Sequence, residues 1–89
     1  MSDKLHIVTA GNVLAPAFAL LEALGYRVTH VISANGERSA FLQAENDRFR
    51  LMAEDPIYLL GLVKLAECRG ASWAPTTEEV EIFLRFDNS

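Results

Sequence analysis

The segment from Ala40 to Ala53 constrains the fold more than any other, because two alternating stretches flank an Asn-Asp pair. Ala40-Phe41-Leu42-Gln43-Ala44-Glu45 and Arg48-Phe49-Arg50-Leu51-Met52-Ala53 are joined by Asn46-Asp47, two residues that tolerate positive φ and suit a tight hairpin. Closing a two-residue loop there sets Glu45 opposite Arg48, Ala44 opposite Phe49, Gln43 opposite Arg50 and Leu42 opposite Leu51. Leu42, Ala44, Phe49, Leu51 and Ala53 then share one face, and Phe41, Gln43, Glu45, Arg48, Arg50 and Met52 the other. The pattern predicts Phe49 and Leu51 buried and Arg48 and Arg50 exposed, since the reverse would place two guanidinium groups in the core without partners.

Other elements follow from local chemistry. Leu5-His6-Ile7-Val8-Thr9 is β-branched and apolar and reads as a first strand. Asn12 is a reasonable N-cap for a helix over Val13–Leu24, with Pro16 at its fourth position, a stripe of Leu14, Phe18 and Leu21, and a stop at Gly25. Glu22 is that helix's only charge, so it should be covered on more than one side or take part in an interface. Tyr26–Ser33 reads as a strand and Ala34–Glu37 as a turn. Asp55-Pro56 opens a helix that runs to Arg69-Gly70 with Ile57, Leu60, Val63, Leu65 and Ala66 in its stripe, widened by Leu59 and Leu62. Trp73 reads as an anchor for the following connection, and Thr76 with Glu79 has the spacing of a capping box. The last helix would turn Val80, Phe83 and Leu84 inward. Together these predict a two-layer α+β domain of order β-α-β-β-β-α-α, with a four-stranded, mostly antiparallel sheet and the helices on one face.

Apolar positions run from Leu5 to Phe86 without a linker-like gap, so residues 1–89 read as a single α+β domain. The net charge is −4 and the eight basic residues are scattered, which argues against nucleic-acid binding. Cys68 is the only cysteine and excludes an intramolecular disulfide. The start Met1-Ser2-Asp3-Lys4-Leu5 lacks the features of a signal peptide, and no apolar run approaches the roughly 20 residues of a membrane span. A cytoplasmic location without membrane attachment is the resulting expectation.

Motifs for chemistry are sparse. Thr9-Ala10-Gly11-Asn12-Val13 offers one glycine where a dinucleotide fingerprint needs three, so no cofactor is expected. His6 and His30 lie on strands that could be neighbours, but neither has a third ligand at a recognisable spacing, and no metal is expected. Glu54, Asp55, Glu78, Glu79 and Glu81 lie where helices begin, a place that favours acids electrostatically.

The stretch from Ala53 through Asp55-Pro56 to Leu65, with Arg69-Gly70 and Trp73, resembles the helical half of small uncharacterised bacterial single-domain proteins, including proposed immunity proteins against polymorphic toxins. That resemblance implies a protein partner and carries no catalytic residue with it. The residues themselves support two readings. One is a non-enzymatic protein-binding module, with a protein partner or self-association through an open sheet face bearing Arg27, Thr29, Phe41, Gln43, Arg50 and Met52. The other is a small enzyme or ligand-binding protein with a pocket between the first helix and the sheet, to which His30, Asn12 or Tyr26 would contribute. No catalytic residue is assigned, and the weight falls against an enzyme.

Overall fold

A computed structural model of the chain describes residues 3–89. Its elements are α1 (Leu14–Ala23), β1 (Arg27–Ile32), β2 (Arg38–Glu45), β3 (Arg50–Ala53), α2 (Pro56–Arg69), a 3-10 turn (Gly70–Ser72) and α3 (Thr77–Asp87). Among the described residues the sheet has three strands in the order β1-β2-β3, with both neighbouring pairs antiparallel. The fold is α+β, but the four-stranded sheet and the leading strand are not formed. Leu5–Thr9 is irregular, and Leu5 is 88% exposed. β-branched composition favours extended backbone, yet a strand needs an edge to pair with and an apolar face to pack on.

The hairpin forms with its tip one residue further along. Glu45 pairs with Arg50, Ala44 with Leu51, Gln43 with Met52 and Leu42 with Ala53, and the Asn46 N–H donates to the Phe49 carbonyl at 3.0 Å. Asp47-Arg48 is therefore the loop. Asn46 Oδ1 accepts from the Arg48 and Phe49 amides at 2.9 and 2.8 Å, so the asparagine starts the turn as a hydrogen-bond acceptor. An Asn46-Asp47 loop of the mirror-image type would need positive φ at both, and among the described residues only glycines adopt it. The displacement moves the pairing by two positions, which leaves each residue on its expected face. Arg48 and Arg50 are exposed, while Phe49 and Leu51 are half-buried instead of fully buried because β3 is an edge strand.

α1 packs on α2 and β1, and α2 on β3 and β2, so these two helices cover one sheet face. Leu21, Tyr26, Ala44, Ala53, Leu59 and Val63 form the core, with Val28, Leu42, Phe49 and Leu51 packed against it. The buried stripe of α2 is Leu59, Val63 and Ala66, spaced four and three residues apart as one helix face requires. Asp55 caps α2 by accepting from the Tyr58 N–H at 2.9 Å, with Pro56 in the first turn. α1 buries Ala17 and Leu21, leaves Leu14 and Phe18 exposed, and starts after Val13 without a side-chain cap, so Asn12 does not cap it and Pro16 is its third residue. Gly25 and Gly70 end the two helices at φ of 95° and 55°, where a Cβ would be strained.

α3 departs most from expectation. Its capping box is complete: Thr76 accepts from the Glu79 N–H at 3.1 Å, and Glu79 accepts from the Thr76 N–H at 2.9 Å. None of its residues is buried, and Val80, Phe83 and Leu84 face solvent instead of the core. Trp73 is 59% exposed and does not pin the connection in the interior.

Candidate functional site

The register decides what the uncovered sheet face displays. Arg27 pairs with Glu45 and Glu45 with Arg50, forming one row across the three strands, and Thr29, Gln43 and Met52 form the next. Phe41 precedes Gln43 by two positions on β2, directly before the paired Leu42 and beside the register irregularity between His30 and Ile32, and alternation from Leu42 turns it to the same side. All six residues of the expected contact surface thus occupy one face, opposite the side on which Val28, Ala44 and Leu51 meet the helices. Phe41 is 44% exposed and Met52 47%.

Glu45 organises the charged row. Its Oε2 accepts from Arg50 Nη2 at 3.0 Å and Nε at 3.2 Å, while its Oε1 accepts from Gln43 Nε2 at 3.2 Å and lies 4.0 Å from Arg27 Nη2. One carboxylate thus sits between two guanidinium groups, leaving the row with a net positive charge on an acidic protein. Such exposed pairs add little to folding stability, about 0–1 kcal/mol each. They do fix long side chains in place, which reduces the ordering needed when another surface meets them.

A second feature lies along the free edge of β3. Phe49, Leu51, Leu62, Ala66 and Trp73 wall a groove of about 500 Å³, and Arg48 and Arg50 also line it. Arg48 lies over the Phe49 ring, 4.9 Å from its centroid. No local sequence pattern marks this groove, because it depends on the hairpin register and on an exposed Trp73.

The residues considered for an enclosed pocket are not gathered in one. Asn12 lines a cleft of about 410 Å³ with Thr9, Gly11, Asp55, Ile57 and Tyr58, and neither Tyr26 nor His30 lies in its wall. Tyr26 belongs to the core, and His30 is exposed on β1. His6 is on the irregular segment before α1, so the two histidines do not sit on neighbouring strands. Among the described residues no three His, Cys, Asp or Glu side chains cluster as metal ligands.

Two ionisable groups are perturbed. The Tyr26 hydroxyl is buried without a hydrogen-bond partner, and its pKa is raised, first by that burial and then by the Glu67 carboxylate, with Asn46 and Arg48 opposing. Asn46 Oδ1 accepts from the two turn amides, so it is the side-chain NH₂ that opposes the shift, as a donor toward the phenol oxygen. Glu79 is held below the usual carboxylate range by the Arg69 hydrogen bond at 3.1 Å and then by the Thr76 amide. Arg69 also donates to the Ser72 and Ala74 carbonyls, so it ties the connection between α2 and α3 to the first turn of α3. Among the described residues no helix is long and apolar enough to cross a membrane. The chain matches no protein-family model, no curated protein and no solved structure.

Proposed function

We propose that the chain is a non-enzymatic protein-binding module that contacts its partner through the uncovered sheet face, in the manner of an immunity or inhibitor protein. The observation that carries this reading is the gathering of Arg27, Thr29, Phe41, Gln43, Arg50 and Met52 on the sheet face opposite the core, with Arg50 and Met52 at the β3 edge that also borders α2. Two large apolar side chains stand there among ordered charges, the mixture found where proteins recognise one another. Arg27 and Arg50 suit an acidic patch on the partner, with Phe41 and Met52 supplying desolvated contacts.

The test is co-expression with the protein products of neighbouring genes, followed by titration of purified pairs. A product that binds the wild type and is weakened roughly tenfold or more by Phe41→Ala, or by Arg27→Glu with Arg50→Glu, supports the reading. For the immunity case, the wild type relieves that product's toxicity and the weakened variants do not. A partner bound equally well by all three proteins would refute the sheet face as the contact surface.

A further inference from the structure

We propose that α3 is an arm that orders and melts apart from the rest of the chain. The protein then has two units of stability, a body from α1 to the 3-10 turn and the last helix, joined at Arg69. The first ground is where the packing lies. Every residue of the core, from Leu21 to Val63, belongs to the body, and so does every half-buried side chain packed against it. α1 packs on α2 and β1, and α2 on β3, β2 and the 3-10 turn, while α3 shares in none of this packing. Its apolar side chains Val80, Ile82, Phe83, Leu84 and Phe86 are 44–73% exposed, whereas no core residue exceeds 5%. Tertiary burial stabilises most helices in proteins, so a helix without it depends on its local chemistry.

The second ground is that this local chemistry falls short. α3 has 11 residues. Isolated helices shorter than about 12–15 residues are marginal in water even when rich in alanine. Here Thr77, Val80 and Ile82 are β-branched and Phe83 and Phe86 aromatic, residues that lose side-chain freedom against the preceding turn. The capping box, Glu78 and Glu79 in the first turn and Arg85 in the last all favour the helix. They bring it toward balance without the burial that would fix it.

The third ground is the joint. Arg69 donates to the Ser72 and Ala74 carbonyls at 3.3 and 3.4 Å and to Glu79 at 3.1 Å. The two carbonyl contacts are longer than the usual range of about 2.7–3.2 Å, and the ion pair is partly exposed, where such pairs add little. Trp73 to Thr76 join the 3-10 turn to α3, and Trp73 is not anchored in the core. Arg69 therefore orients the first turn of α3 without coupling the helix to the core, and opening of α3 uncovers no core surface.

Hydrogen–deuterium exchange of the full chain at neutral pH reads the two units separately. Relative to unstructured rates, the amides of α3 from Val80 to Asp87 should exchange at least roughly a hundredfold faster than those of α2 from Leu59 to Ala66, which open with the global fold. Glu79→Ala removes the capping box and the partner of Arg69 together. It should speed exchange in α3 several-fold and leave the urea midpoint of the body where it is. Phe83→Ala should also leave that midpoint unchanged, while Val63→Ala, in the core, lowers it. Exchange in α3 within a hundredfold of that in α2, or a urea midpoint lowered by Phe83→Ala, would place α3 against the body or a second copy and overturn the proposal. So would a Glu79→Ala chain whose α3 exchange is unchanged or whose midpoint falls.

Discussion

Phe41→Ala separates a residue that contributes to folding from one displayed for a partner. Phe41 is 44% exposed, so a little over half of its surface is already covered within the monomer. Full burial of a phenylalanine is worth about 1.5–3 kcal/mol, and half of that sets the folding cost of the change at about 1 kcal/mol. No further penalty for a cavity applies, because the vacated space opens to water. A loss of this size lowers the thermal midpoint by about 4–8 °C in a domain of this length. Urea melts of the wild type and of Phe41→Ala, both at high dilution, measure the folding term apart from any association. Partner titration measures the binding term, where the loss should exceed about 1 kcal/mol. A folding loss of about 3–5 kcal/mol, the size seen for buried rings, with unchanged partner affinity would refute the assignment of Phe41 to the displayed face.

Tyr26→Phe should stabilise the fold by about 1 kcal/mol in urea melts at neutral pH, since it removes a buried hydroxyl with no partner. Because the folded-state pKa of Tyr26 is raised above the ordinary 10.0, the unfolded chain loses its proton first. The contribution of Tyr26 to stability should therefore be fully present below pH 10.0 and fall as pH rises through the folded value, a slope that Tyr26→Phe reduces. Asn46→Ala leaves the Arg48 and Phe49 amides without their side-chain acceptor and should cost about 1 kcal/mol, measured as a lowered urea midpoint with unchanged slope. The depressed pKa of Glu79 carries the opposite pH sign. Its contribution to the start of α3 is present above the usual carboxylate range and lost as pH falls through its folded value, so far-UV helical signal should decline in acid more in the wild type than in Glu79→Gln.

The features legible in the sequence are those whose chemistry closes within a few residues. Asp55-Pro56 satisfies the first amides of α2 from an adjacent side chain, and Thr76 with Glu79 does so for α3. Gly25 and Gly70 end helices because the backbone needs positive φ there. The hairpin was legible in its faces and not in its tip. Alternation is insensitive to an even displacement, whereas the loop depends on whether Asn46 adopts positive φ or accepts hydrogen bonds at the start of the turn, and the two amides decide for the second. Leu5–Thr9 fails for a different reason. Its residues favour extended backbone, but neither sheet edge takes them up, and propensity contains no information about which edge is free.

The same distinction explains the candidate surfaces. The sheet-face residues could be grouped from sequence because period-two alternation and antiparallel pairing bring Arg27, Gln43 and Arg50 to one side whatever the exact register, provided it slips by even steps. The groove could not be grouped in this way. It joins Phe49 and Leu51 on an edge strand to Leu62 and Ala66 on a helix and to Trp73 beyond it, a junction set by how α2 crosses the sheet. For α3, amphipathicity says that Val80, Phe83 and Leu84 need cover, and a short domain with one core suggests its own sheet as the cover. The Arg69 hydrogen bonds to the Ser72 and Ala74 carbonyls and to Glu79 instead tie the first turn of α3 to the connection, and none of the helix's residues is buried.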